Sequence, residues 1–472
     1  MATISAPGIG SGLDVKGIVT QLVALERAPL RQLQTQAASL QTRLSTFGSI
    51  QSQVSALGDA AARLARPDGW NAVSASSSNP AAVGVSAAAG APVTSLTLTV
   101  QQLARSQSTT SVALASASTV GAGALTLQLG RWSGNAFTPG SAAPVSLTID
   151  PLDTLASVAS KINAAATGVS ASVLRDAAGE RLLLRSSASG EANGFRITAN
   201  DADGTHGDAS GLSRLAFDAA NPAGQTLTQA GQDARATVNG VAITSASNRL
   251  NDALDGLTIE LAQVTAEPVE LRVSTDLAAA RKNIEAFVAA YNTLNTSLTT
   301  ATRFDAGSRT AGPLQGDATA IGLQNALRGM LRSVSASSPF ARLSDIGIEM
   351  QTGGALQIRD DRLNAALSNF QGVRALFTLS SSDPGARGFG LKVDAFADGL
   401  IAADGMVSTK KAGIQQSISR NGREQDRVNE RAQRVELRLL AQYNAMDAQV
   451  GRLNSLNAFV TQQITLWNRS TG

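Results

Sequence analysis

The sequence predicts an α+β, multidomain chain in which discontinuous N- and C-terminal α-helical regions, of coiled-coil or bundle type, enclose inserted β-rich head domains. Three observations predict it. Apolar residues recur at steps of three and four at both ends of the chain, short alternating apolar runs fill the middle, and charge almost vanishes where the pattern changes. Arg105 is the only charged residue from Gly69 to Gly130. The 472 residues are enough for about three domains.

At the N-terminus, Val15, Ile18, Leu22 and Leu25 mark a short helix with Asp14 as its cap, and Pro29 separates it from the next helix. From Leu30 the apolar positions Leu33, Ala37, Leu40, Leu44, Phe47, Ile50, Val54, Leu57, Ala61 and Leu64 form a long seam with one slip between Phe47 and Ile50. Beyond Pro67-Asp68-Gly69, runs such as Leu96-Thr97-Leu98-Thr99-Val100 read as half-buried strands. Between Val145 and Thr198 the order is strand, helix capped by Asp153, then three strands. A loop rich in Asp, Gly and Asn follows, and Asn239-Gly240 between apolar runs signals a hairpin. Strands at Leu257–Leu261 and Val269–Val273 close the β-rich middle.

Helical spacing returns at Leu277, Ala280, Ile284, Phe287, Tyr291, Leu294 and Leu298. A mixed stretch then holds a hairpin around Thr352-Gly353-Gly354 and a helix from about Asp361. From about Ala412 the pattern is helical to Trp467. There Leu439, Met446, Leu453, Val460 and Trp467 recur every seven residues, with Tyr443, Val450 and Ile464 in a second row that Asn457 interrupts as a register device or a tolerated exception. The inner seams are expected to form an ordinary bundle core. The outer ones, Val15 to Leu25 and Leu439 to Trp467, are expected to lack partners until they meet other subunits.

Composition excludes several classes of function. There is no cysteine, so disulfides, thiolate catalysis and Cys-ligated metals are ruled out. A net charge of +3 gives no nucleic-acid footprint, and no apolar run reaches the length of a membrane span. Lys410 to Leu440 carries eight cations and four anions at helical spacing, which reads as a solvated face first and a recognition surface second. His206, the sole histidine, lies in the loop Asp201 to Asp208 without a G-x-S-x-G elbow, so an Asx/Gly turn is the expected reading. An EF-hand register there would put Ala199 at the first ligand position. Gly8-Ile9-Gly10-Ser11-Gly12 follows no strand and makes no phosphate cradle. No catalytic residue, cofactor or metal is expected. With only 4% aromatic residues, the cores are expected to be aliphatic, without aromatic clusters.

One family accounts for the motifs. Ile9-Gly-Ser-Gly-Leu-Asp14-Val through Pro29-Leu30 resembles the opening of the bacterial flagellar filament cap proteins, the hook-associated protein two family, and Phe47-Gly-Ser-Ile-Gln-Ser is similar to the segment that follows. Leu155 to Asn163, Gly168 to Val173 and Gly179 to Leu184 resemble the β-α-β module of flagellins and hook-associated proteins. Gly231-Gln-Asp-Ala, Val238-Asn-Gly-Val-Ala-Ile, Ser247-Asn, Phe287-Val-Ala-Ala-Tyr-Asn292, Gly312-Pro-Leu-Gln-Gly-Asp317 and Leu343-Ser-Asp-Ile-Gly347 follow in the order expected of cap proteins.

The resemblance implies a secreted, non-enzymatic protein of the bacterial flagellum, exported by the flagellar type III apparatus without a cleaved signal peptide. It would form a ring-shaped homo-oligomer at the distal tip of the filament and promote flagellin insertion. Implied partners are itself, flagellin, the hook-associated junction proteins and an export chaperone, with no nucleic acid and no membrane insertion. The expected divisions are 1–42 with 430–472 as a terminal leg region, disordered in the free monomer; 43–72 with 276–429 as a helical stalk; 73–110 with 231–275 as a first β-rich head domain; and 111–230 as a second, containing the flagellin-type module. Expected filament or oligomer contacts are Val15, Ile18, Leu22, Leu25, Leu439, Met446, Leu453, Val460 and Trp467, with Tyr443, Val450 and Ile464 for the chaperone. Two alternatives stand beside the cap: a surface adhesin binding host mucin or glycans through the head, and a junction protein or flagellin paralogue.

Overall fold

The computed structural model of the chain describes residues 14–218, 223–251, 254–307, 309–337 and 339–470. The motif Ile9 to Leu13 and the Gly8–Gly12 stretch lie outside them. The chain forms two compact units. One is Met1–Trp70 with Leu277–Gly472, the other Asn71–Asp276. The first is helical and the second β-rich, so the fold is α+β and multidomain.

The helices in chain order are α1 (Val15–Glu26), α2 (Ala28–Ala65), α3 (Leu155–Ala164), α4 (Leu277–Thr302), α5 (Ala318–Leu331), α6 (Asp360–Leu367), α7 (Phe370–Thr378), α8 (Phe389–Ile401) and α9 (Met406–Ser470). Asp14 caps α1 through a bond from the Gly17 N–H. Only Arg27 separates α1 from α2, and Pro29 sits in the first turn of α2, where its missing N–H costs nothing.

In the helical unit α2 lays Phe47, Ile50, Val54, Leu57, Ala61 and Leu64 onto Ile284, Phe287, Tyr291, Leu294 and Leu298 of α4, with α5 to α8 completing one core. The slip at Phe47–Ile50 is absorbed inside a continuous helix whose inward residues stay fully buried. Helices α5, α7 and α8 fill the stretch that the sequence pattern left mixed. Trp70 closes this core at 5.8 Å from Phe370 and 5.7 Å from Phe377, and donates through Nε1 to Leu64 O. A second group, Trp132 with Phe137, Phe217 and Phe195, lies in the β-rich unit. The expectation of cores without aromatic clusters is therefore wrong. Composition gives a mean, and these few rings are concentrated where large volume must be filled.

The β-rich unit carries strands β1 (Val73–Ser77), β2 (Val83–Ala87), β3 (Thr94–Gln102), β4 (Ser108–Thr110), β5 (Gly123–Ser133), β6 (Ala136–Pro139), β7 (Val145–Ile149), β8 (Val169–Asp176), β9 (Gly179–Ser186), β10 (Gly194–Asp201), β11 (Thr226–Gln229), β12 (Ala234–Val238), β13 (Val241–Ser245), β14 (Arg249–Leu250), β15 (Leu257–Leu261) and β16 (Val269–Thr275). Sheets β1-β16-β3-β12-β13 and β14-β15-β2 share one core, built from Leu98, Val100, Ile259, Leu271 and their neighbours. Sheet β11-β4-β9-β8 and the sheet in which β5 pairs with β6, β7 and β10 share another, around Leu125, Ile162, Leu184 and Phe195. Strand β12 turns into β13 at Asn239 and Gly240, both with positive φ, as a two-residue primed turn requires.

One local expectation needs correction. Thr154, not Asp153, caps α3, through a box with Ser157, while Asp153 accepts from Asp150 N and Lys161 Nζ. The strand-helix-three-strand run has the expected order and is divided between two sheets. β7 and β10 pair with β5, and β8 pairs with β9. Alternation shows which face of a strand is buried, not which neighbour bonds its edge.

Candidate functional site: the α1–α9 leg and the Asp317 clasp

Helices α1 and α2 run along α9 in opposite direction. Gln51 Oε1 accepts from Lys411 Nζ at 2.5 Å, and Leu33 O accepts from Asn421 Nδ2 at 3.1 Å. Further out, Glu26 pairs with Arg431 at 3.0 Å, and Arg27 with Glu436 at 3.9 Å. As numbers fall along α2 and α1 they rise along α9. At that register Val15 is level with about residue 445, and α9 continues for roughly 36 Å beyond.

That register decides what covers each predicted contact residue. Val15 is 1% exposed and packs with Val19 and Val23 against Ala432, with Leu439, Leu440 and Tyr443 beside them. Of the predicted N-terminal seam, Val15 is therefore covered within the chain, which corrects for that residue the expectation that all of it waits for other subunits. The buried row runs 15, 19, 23 rather than 15, 18, 22, 25, because a four-residue step keeps the short helix's face on α9. Ile18 is half-buried, Leu22 and Leu25 face outward, and Leu25 is 71% exposed. On α9, Leu439, Tyr443 and Val450 are half-buried and Met446 is exposed.

Every residue from 452 to 467 is exposed. Leu453, Val460, Ile464 and Trp467 stand there with Leu456, Phe459 and Leu466, and Trp467 is 72% exposed. Asn457 is exposed as well. Among the described residues the buried asparagine of α9 is Asn421, whose Nδ2 also meets Gln36 and whose Oδ1 accepts from Gln425.

At the other end of the α2–α9 pairing lies a residue the sequence pattern did not single out for a role. Asp317 accepts from the Thr319 and Ala320 N–H groups as the cap of α5, and its other oxygen meets Arg43 of α2 at 2.7 Å and Lys410 of α9 at 2.8 Å. Its side chain is 1% exposed. Burial alone would raise its pKa, but the bonds from Lys410, Arg43 and Ala320 outweigh that and hold the carboxyl below its ordinary range. One carboxylate thus joins three helices. The signal was present: an Asp at the end of a Gly-rich motif, directly before an apolar helical run.

The other motifs also resolve into backbone anchors. Asn292 exchanges both amide atoms with Leu356 N and O, and Tyr291 donates to Gly354 O, which docks the hairpin Ile348–Met350/Leu356–Ile358 on α4. Asn163 does the same with Ala171, and Asn248 with Ala104. In the Asp201 loop, Asp201 accepts from Leu212 and Ser213 N–H, while His206 Nδ1 accepts from Asp201 N. Asp201 is buried, so that end of the loop is a folded turn packed into the unit. Among the described residues no His, Cys, Asp or Glu cluster suits a metal, and no helix is long and apolar enough to cross a membrane.

Comparison with known proteins decides the family. The profiles of the flagellar hook-associated protein 2 N-terminus and C-terminus match residues 11–107 and 231–455, and a flagellin hook IN motif matches 138–188. Flagellar hook-associated protein 2 of Escherichia coli strain K12 is 30% identical over 98% of each chain. The chain belongs to the flagellar hook-associated protein 2 family. The B-type member from Pseudomonas aeruginosa is also 30% identical, over 98% of each chain. Among solved structures, the D1-D2-D3 domains of the flagellar cap protein FliD from Escherichia coli align with a TM-score of 0.59 at 27% identity, covering 78% of this chain and 99% of that one. This family gives no support to the adhesin alternative; its members are named as hook-associated and cap proteins.

Proposed function

We propose that this chain is a filament cap protein of the bacterial flagellum, working at the distal tip as a ring-shaped homo-oligomer that promotes flagellin insertion. Family membership along the whole chain supports the cap. The observation that carries the mechanism is the overhang of α9. A helix exposed at every residue from 452 to 467 is marginal alone in water, so its Leu, Phe, Val, Ile and Trp side chains need another surface. The leg region 1–42 with 430–472 supplies that contact and orders fully there, with Leu22, Leu25, Met446, Leu453, Val460 and Trp467 facing the filament or neighbouring copies. The stalk, 43–72 with 276–429, and the two head divisions, 73–110 with 231–275 and 111–230, form the body of the cap.

Before export the same helix is a hazard in the cytoplasm, and the chaperone surface includes Ile464 and Val450, with Tyr443 reached as α1 lifts. The role is structural rather than catalytic. A strain lacking the chain is expected to secrete unpolymerised flagellin and build no full filaments, read by electron microscopy and by flagellin in the culture medium. Normal filaments in that strain would remove the cap reading.

A further inference from the structure

Arg420, Arg423, Arg427, Arg431, Arg434 and Arg438 follow one another on α9 at steps of three, four, four, three and four. At 3.6 residues per turn they fall within an arc of about 80° and extend for about 27 Å. All six are exposed. The face packed on α1 and α2, marked by Asn421, Ala432 and Leu439, lies roughly a third of a turn away.

A merely solvated face alternates its charges, whereas here arginines stand four apart at 423/427, 427/431 and 434/438, each a mildly repulsive pair. Three of the six have an acidic partner: Arg427 with Glu424, Arg431 with Glu26, and Arg434 with Glu430. Arg423 and Arg438 have none among the described residues. All six are arginine rather than lysine, the side chain whose planar fork matches a carboxylate. Followed outward at the same spacing, the strip reaches Arg452, Leu456, Phe459 and Trp467, so it is continuous with the overhang.

We propose that the Arg420–Arg438 strip of α9 is a docking face for an acidic α-helix of a second protein, whose carboxylates repeat at the same three- and four-residue steps. The inference deepens the leg reading and rests on it. Like charge keeps the strip of another copy away. Glu424 and Glu430 border it on either side, leaving a lane one helix wide that suits a row of carboxylates better than a broad anionic surface.

The test uses the full chain and two synthetic helical peptides of equal charge. One carries Glu along a single face at the strip's spacing, and the other spreads the same Glu residues around the helix. Binding is followed by fluorescence anisotropy at 50 and 500 mM NaCl, levels chosen to change screening strongly. The one-faced peptide is expected to bind at least about tenfold tighter than the scrambled one, to weaken about tenfold or more at high salt, and to lose about tenfold in R423E/R438E. That variant breaks none of the three ion pairs, and circular dichroism checks its helix. Equal binding of the two peptides, or unchanged binding by the variant, overturns the proposal. So does tighter binding to phosphatidylserine vesicles than to the one-faced peptide, or self-association of the wild type that the variant loses. Attachment to sheared flagellar filaments separates this inference from the leg reading. If L453D/V460D loses attachment while R423E/R438E keeps it and binds the one-faced peptide as tightly as the wild type does, the strip fails and the leg stands; if both variants attach normally, the leg reading itself fails.

Discussion

Asp317 combines a helix cap with a two-cation clasp, so removing it leaves more than one group unsatisfied. Asp317→Ala strips the α5 cap and strands Arg43 and Lys410 in a part-buried site. We expect a loss of about 3 kcal/mol, read as a lower urea midpoint of the helical unit. The pH dependence has a definite sign. Because the folded pKa lies below the ordinary 3.8, the clasp contributes its full stability above that value and loses it as pH falls through 3.8 toward the folded pKa. Asp317→Asn should therefore flatten the acid limb of the stability profile below about pH 4. An unchanged limb would show that the clasp contributes nothing. At this scale the sequence was partly legible. The hairpin residues Asn239 and Gly240 announce their positive φ, whereas the sequence points to Asp153 as a cap because an aspartate just before a helix is conspicuous, and Thr154 is the real cap.

Helix α9 divides into a half that has a partner and a half that does not. Heptad spacing runs through both without a break, so periodicity located Leu439 to Trp467 but could not say where cover ends. The end of cover depends on the register with α1 and α2, which Asn421, Gln36 and the Glu26–Arg431 pair fix. Leu453→Asp and Val460→Asp are accordingly expected to leave the thermal unfolding of the chain within about 1 kcal/mol of wild type, since both side chains are already exposed. Their cost should fall on assembly, measured as loss of filament-end binding and of swimming in a complemented strain. Normal capping by both variants would show that the overhang is not the assembly surface.

For the whole molecule, two units with separate hydrophobic clusters imply separable folding. A fragment of Asn71–Asp276 should give a β-type circular dichroism spectrum and a cooperative melt, because its clusters contain no residue of the helical unit. A random-coil spectrum would refute that. What the sequence by itself determined was the family and the kind of element at most places, though not at α5, α7 and α8: spacing of three and four against spacing of two, turn residues, and the ordered motifs. These are local properties, set by which side chains share a face. Strand partners, the aromatic clusters, the clasp at Asp317 and the covering of Val15 by α9 were decided only in the tertiary structure. Each joins residues far apart in the chain, and an amphipathic face fixes that something must cover it without fixing what does.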